Sequence, residues 1–435
     1  MPTRKSPPVR RVLDTAPSAA LRDFLATETA GGVFLIVAAV VALVWANSPW
    51  QAAYETFWHT PLGIDFGRHG IELDLRHWVN DGLMAIFFLV VGLEIKRELL
   101  LGELRDPRRA ALPVFAAIGG MVVPAVIYLL VNSGQGAAAD GWGIPVATDI
   151  AFAIGVLALV APGLPSGVRL FLLTLAIVDD IGAIVLIAIF YTSKFEVGWL
   201  ALAVGIVLAI LVLQRLGFRA APLFGTLGIG LWLALHASGV HATLAGVAMG
   251  LLAPSTAVLD RQIIRSRADQ LVDVFSPKAA RETTRIARKA VSELEWLEDG
   301  LHDVSSLLIV PLFALANAGV VMSSDSLRDA ATSSIALGAV LGLVLGKAIG
   351  ITVGAWIGTK LRLATLPDGV TWHHVIGVAA LGGIGFTVSI FISTLAFDDA
   401  ALVDEAKIGV LAASLIATLF GSAILLVGRR GATTK

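Results

Sequence analysis

The chain has 435 residues, of which 57% are hydrophobic and only 15% charged, well under the roughly 25% charged residues of soluble domains. The net charge of −1 is uninformative as a total, though its distribution along the chain is not, no nucleic-acid partner is expected, and the absence of cysteine excludes disulfides and thiolate metal sites. At roughly 20 residues per crossing, the length leaves room for about twelve membrane-spanning helices.

A polar, Arg-bearing segment over 1–30 precedes the first long apolar run. That run starts near Gly31 without a small-residue cleavage site and so reads as a retained span. Hydropathy predicts spans over 31–47, 77–94, 110–131, 143–160, 168–191 and 197–214, then 221–236, 240–254, 301–321, 334–357, 373–397 and 406–427. The expected fold is therefore an all-α polytopic membrane protein with one transmembrane domain over 31–427 and a short tail over 428–435. Between the first two spans, Ile64 to Leu75 alternates apolar and polar residues about a Gly-bounded turn, which predicts an outer-face β-hairpin. A charged connector over 255–299 follows the eighth span, and its later part, Lys278 to Glu298, has the pattern of an exposed amphipathic helix.

Lys and Arg set the orientation. With a cytoplasmic N-terminus, only Arg68, Arg76, Lys194, Arg328 and Lys407 fall in outer segments and Lys347 stays within a span; every other basic residue lies inside. This bias places both termini in the cytoplasm.

Few ionisable residues remain within spans: Asp81, Glu94, Asp149, Asp179, Asp180 and Lys347. A single Asp at a helix centre costs roughly 2.5 to 3.5 kcal/mol on insertion scales, so the adjacent pair Asp179 and Asp180 points to ion or proton traffic. Pro145 stands four residues before Asp149, behind Gly141 and Gly143, and predicts a broken fourth span. Gly382, Gly383 and Gly385 interrupt the eleventh in the same way. Each break falls in the middle of a triplet of spans, the pattern of inverted-topology repeats with a site at their interface. Broken helices bring helix ends of both signs into the membrane, each worth about half a charge. A carboxylate such as Asp149 offsets the positive ends, and Lys347, the one embedded cation, suits the negative ends or a carboxylate. Neighbouring residues on a helix point about 100° apart, so Asp179 and Asp180 face different surroundings. Buried carboxylates are hard oxygen ligands for which protons and a small cation compete, which is sufficient for antiport. Loss of two protons per monovalent cation makes the exchange electrogenic.

The motifs Ala147-Thr148-Asp149-Ile150-Ala151-Phe152, Leu175 through Ala183 around the Asp pair, and Gly346-Lys347 resemble the signatures of the NhaA Na⁺/H⁺ antiporters. The same holds for Asn80-Asp81-Gly82, Gly92-Leu93-Glu94-Ile95-Lys96-Arg97-Glu98, Gly239-Val240-His241-Ala242-Thr243, Asn317-Ala318-Gly319 and Gly383-Ile384-Gly385-Phe386-Thr387, so that the resemblance runs from Thr27 to Leu426. It implies twelve helices, the fourth and eleventh unwound and crossing. It further implies Asp180 as principal Na⁺ or Li⁺ ligand and proton carrier, with Asp179 beside it as a second ion ligand and proton carrier, either paired with Lys347 or itself involved in transport, and Thr148, Asp149 and Lys347 supporting the site. The implied activity is pH-activated exchange of cytoplasmic Na⁺ or Li⁺ for external H⁺ in a bacterial-type plasma (inner) membrane, without cofactor and without enzymatic chemistry. Glu94, Glu98, Glu298, His302 and His241 match the family's pH-responsive positions, while Asp299 and Asp303 depart from its pattern. The resemblance also implies a homodimer joined through the hairpin. Two rivals are weaker. A Na⁺-coupled solute symporter needs a polar substrate cavity that these spans hardly supply, and an intramembrane aspartyl protease needs a Gly-x-Gly-Asp motif that is absent.

Overall fold

The computed structural model describes residues 17–66, 69–192, 196–218, 220–256 and 292–432. Among them nine helices are long and apolar enough to cross a bilayer, and two bent pairs raise the number of spans to 11. The first helix, α1 (Pro17–Ala46), begins well before the apolar run at Gly31, so half of the polar N-terminal segment is helical. A short amphipathic helix, α2 (Gln51–Trp58), leads into the hairpin of β1 (Pro61–Phe66) and β2 (His69–Asp74), which pair antiparallel with Ile64 opposite Ile71. Next come α3 (Leu75–Leu100) and α4 (Pro107–Val131), the latter started by Pro107 and by the Asp106 carboxylate accepting from the Arg108 amide at 3.0 Å. Proline at the first helical position wastes no donor, and the aspartate satisfies one that would otherwise be orphaned.

The fourth span is bent by 48° between a 3₁₀ segment, Gly136–Val146, and the helix α5 (Ile150–Val160). Helices α6 (Ser166–Phe190), α7 (Val197–Arg215) and α8 (Ala221–Ser238) follow, and then α9 (Leu244–Leu252). At nine residues α9 rises only about 14 Å, so the expected crossing over 240–254 is not one continuous helix. Its last carbonyls are taken by Lys96, whose Nζ donates to Leu251 O at 2.7 Å and Ala253 O at 2.6 Å, and by Gln214 at 2.9 Å to Leu252 O. Most of the expected amphipathic helix over Lys278 to Glu298 lies outside the described residues; its end belongs to α10 (Glu293–Asn317), started by a reciprocal cap between Ser292 and Glu295. The chain closes with α11 (Ser324–Thr332), α12 (Ser334–Lys360), the pair α13 (Trp372–Leu381) and α14 (Phe386–Ala396), bent by 46°, and α15 (Ala400–Ala432).

With lipid on the outside, close packing depends on small residues. Helices α4 and α12 touch where Gly119 meets the Gly350 carbonyl and Gly354 faces Phe115, so a Cβ at Gly119 or Gly350 would strike backbone. In the same way α9 lays Gly246 and Gly250 against Ala85 and Leu89 of α3. Among the described residues three spans carry a π-wound stretch: Trp78–Leu83 in α3, Ser305–Ile309 in α10 and Gly342–Gly346 in α12. The last ends at Lys347, and extra residues of this kind commonly mark functional positions.

Candidate ion-binding site

The two helix breaks meet each other. A proline lacks the N–H that would extend the ladder, so the chain through Pro145 releases backbone groups around Ala147 and Thr148, and the glycines at 382–385 do the same opposite. Those groups find partners across the interface. The Asp149 amide donates to Ile384 O at 2.7 Å, Thr148 Oγ1 donates to Gly382 O at 2.8 Å, and Ser389 Oγ donates to Ile144 O at 2.7 Å. Gly383 lets the second break pack closely on α12, because a Cβ there would collide with the Leu343 carbonyl.

Asp149 serves two helix starts at once. Its Oδ1 accepts from the Phe152 amide of α5 at 3.0 Å, and its Oδ2 accepts from the Thr387 amide at 3.0 Å and the Thr387 hydroxyl at 2.6 Å in α14. One buried carboxylate thus lies at two positive helix ends.

The adjacent aspartates of α6 diverge as helical geometry requires. Asp179, 2% exposed, receives a 2.5 Å hydrogen bond from Lys347 Nζ, and Lys347 is completely buried. The ammonium is therefore engaged by a carboxylate rather than by helix carboxy ends. Asp179 Oδ1 has no hydrogen-bond partner among the described residues. Asp180, 7% exposed, points into a cavity of ≈ 50 Å³ and makes no hydrogen bond or ion pair among the described residues. The cavity is lined by Thr148, Asp149 and Thr387 at the breaks and by Glu94 of α3 and His302, Ser305 and Ser306 of α10, with Phe87, Val90 and Val310 among its apolar walls. Among the described residues no three His, Asp or Glu side chains converge as a metal site. A cation here would be held by carboxylate and hydroxyl oxygens with water, the donor set of a weakly held hard ion.

Of the positions singled out in the sequence, Thr148, Asp149, Asp180, Glu94 and His302 share this cavity, with Asp179 and Lys347 paired behind Asp180. His302 Nδ1 lies 3.4 Å from Glu94 Oε1. Glu98 and Glu298 meet around Arg97, which pairs with Glu298 and stands 3.6 Å from Glu98. His241 lies elsewhere: its Nε2 donates to Tyr191 O at 2.5 Å, and the Tyr191 hydroxyl in turn accepts from Gly143 N at 3.1 Å. Asp81 stands 4.0 Å from His236, also away from the cavity. Sequence reasoning left Arg97, Ser305 and Ser306 without a role and named Thr387 only as part of a motif. The available signals were the first hydroxyl after a glycine break and two adjacent hydroxyls shortly after His302 in an apolar run.

Comparison with known proteins covers nearly the whole chain. The family described as Na⁺/H⁺ antiporter 1 matches residues 22–425. The chain is 48% identical to the Na⁺/H⁺ antiporter NhaA 3 of Frankia alni, over 98% of this chain and 92% of the relative. It is 44% identical to the Na⁺/H⁺ antiporter NhaA of Syntrophobacter fumaroxidans, over 93% of this chain and 89% of that one. With the Na⁺/H⁺ antiporter NhaA of Helicobacter pylori strain G27 it shares 42% identity, over 97% and 98% respectively.

Proposed function

The chain belongs to the Na⁺/H⁺ antiporter 1 family, and we propose that it exchanges Na⁺ or Li⁺ for protons by letting the two compete for Asp180. It is a multi-pass membrane transporter rather than an enzyme, and its ions are substrates that require no cofactor. The observation that carries the reading is the unlike state of two neighbouring carboxylates. Asp179 is neutralised by Lys347, whereas Asp180 faces the cavity with no protein partner among the described residues. A buried carboxylate without a partner is costly, so Asp180 is neutralised by whatever the cavity delivers, a proton or a small hard cation. Either one prepares the site to change sides.

Thr148, Asp149 and Thr387 border the same cavity, and the Asp149 clamp on two helix starts keeps the breaks in register while Asp180 changes occupant. When a cation replaces the Asp180 proton, a second proton leaving the Asp179–Lys347 pair makes the cycle electrogenic, so the membrane potential drives it. Glu94 with His302, and Arg97 with Glu98 and Glu298, form a charged group toward one end of the cavity, and we attribute alkaline activation to it. We place that end and both termini in the cytoplasm of a bacterial-type plasma membrane, from the distribution of Lys and Arg. The hairpin at 61–74 lies on the opposite side, where it joins two copies of the chain. The symporter reading is not favoured: acids and small hydroxyls beside apolar walls give an organic solute little to bind.

The test is dissipation of an imposed pH gradient in everted vesicles on adding Na⁺ or Li⁺ between about pH 6.5 and 9, a span that starts near the ordinary histidine pKa and runs well above it. Wild type is predicted to respond increasingly as pH rises, and Asp180→Asn not at all. A full response from Asp180→Asn would remove Asp180 from the site.

A further inference from the structure

The cavity has a second polar region, supplied by α3 and α10. Glu94 contributes from α3, and His302, Ser305 and Ser306 contribute from α10, where the winding becomes π at Ser305. Thr174 and Thr418 bond back to their own helix, to Leu170 O and Ser414 O at 2.9 and 2.7 Å, and Thr148, Thr387 and Ser389 bond across the helix breaks. Ser305 does neither. It is 3% exposed and lines the cavity, and its hydroxyl makes no hydrogen bond among the described residues. A buried hydroxyl left unbonded by its own helix is unfavourable unless the cavity supplies a partner.

Position completes the argument. Past Glu94, α3 runs through Lys96, Arg97 and Glu98 to its end at Leu100, next to the connection that carries Arg105 and the first turn of α4, which carries Arg108 and Arg109. This is the cytoplasmic end by charge bias, so an ion travelling from there passes Glu94 and Ser305 before it meets Asp180. At ≈ 50 Å³ the cavity admits a cation with only a few waters, and an entering ion must exchange part of its hydration shell for protein oxygens. Glu94 supplies charge and Ser305 a neutral hard oxygen, the ligand types that suit Na⁺ and Li⁺.

We propose that Glu94 and Ser305 form an entry site for the cation, one step short of Asp180, and that Ser305 sets how readily the ion is captured. An ion there displaces His302 from its 3.4 Å contact with Glu94. The inference rests on Asp180 as the exchanging carboxylate and adds a residue that the exchange step itself does not need.

Na⁺ titrations of exchange in proteoliposomes at one alkaline pH separate the two claims. Ser305→Ala is expected to raise the apparent KM for Na⁺ roughly three- to tenfold, the scale of one lost ligand, with the maximal rate unchanged. Ser305→Thr keeps the hydroxyl and restores the wild-type KM. Ser305→Cys is nearly isosteric but presents soft sulfur, so it raises KM as alanine does and carries the test if the alanine variant does not fold. A wild-type KM in Ser305→Ala or Ser305→Cys, or a lower maximal rate at unchanged KM, would overturn the entry site. Exchange by Asp180→Asn in the same series would instead overturn the reading on which it rests.

Discussion

Two neighbouring aspartates with unlike surroundings organise the site at the level of single residues. Asp179 and Lys347 form a buried ion pair, and such a pair is expensive to break from one side because the survivor is left charged without a partner. Lys347→Ala is therefore expected to lower stability by about 3 to 5 kcal/mol, read as an earlier thermal transition in detergent. Replacing both partners, as Asp179→Asn with Lys347→Gln, should recover much of that loss, while net charge movement per cation falls. If the double variant is no more stable than Lys347→Ala, the pair is not what holds this part of the fold. The adjacency of the two acids was legible in the sequence, and so was their divergence by about 100°. Which of them faces the cavity was not legible in the residues themselves; it depends on how α6 is rotated against α12 and the breaks, a matter of packing that α6 does not encode alone. Thr387 and Ser305 were obscured for the same reason, since a hydroxyl in an apolar helix most often bonds to its own backbone.

Among elements, the paired breaks matter most, and Asp149 joins them. It caps α5 and α14 together, and a lost cap costs about 0.5 to 2 kcal/mol. Asp149→Ala removes both caps, whereas Asp149→Asn keeps one acceptor oxygen, so the order of thermal stability is predicted to be wild type, then Asn, then Ala. Equal stability of the Asn and Ala variants would show that the carboxylate does not serve two helices. A second prediction concerns the contact of α4 with α12. Gly350→Val sets a branched side chain against the Gly119 carbonyl and should displace α12, carrying Lys347 away from Asp179; poor folding or an early thermal transition is the expected result. Proline and glycine clusters announced the breaks in the sequence because backbone chemistry is local. The truncated α9 and the three π stretches were not announced, because both arise from accommodation between neighbouring helices. The nine-residue length of α9 becomes intelligible only when Lys96 and Gln214 are seen taking its terminal carbonyls.

For the whole molecule, the sequence disclosed an all-helical membrane protein through hydropathy alone, and most spans fall within a few residues of their expected limits. The N-terminal helix is the main exception, since α1 extends through polar residues that hydropathy cannot mark as helical. Orientation rests on the distribution of Lys and Arg, and it is testable without background because the chain contains no cysteine. Glu103→Cys and Asp325→Cys would each be the sole thiol. A membrane-impermeant maleimide is predicted to label Asp325→Cys in right-side-out vesicles and Glu103→Cys in everted ones, and the reverse pattern would invert the topology. Shortening the hairpin over 61–74 is predicted to yield monomers that still exchange, because its strands stand apart from the cavity. Loss of exchange in a monomer that remains folded would tie the second copy to the transport step.

If a cation and a proton exclude each other at Asp180, cation binding must release a proton. Na⁺ or Li⁺ is added to purified protein in lightly buffered detergent solution at alkaline pH, with choline as control, and acidification is followed with a pH dye. Saturable proton release is predicted from wild type with Na⁺ or Li⁺ and none from Asp180→Asn. Cation binding to wild type without proton release, or undiminished release from Asp180→Asn, would contradict that exclusion.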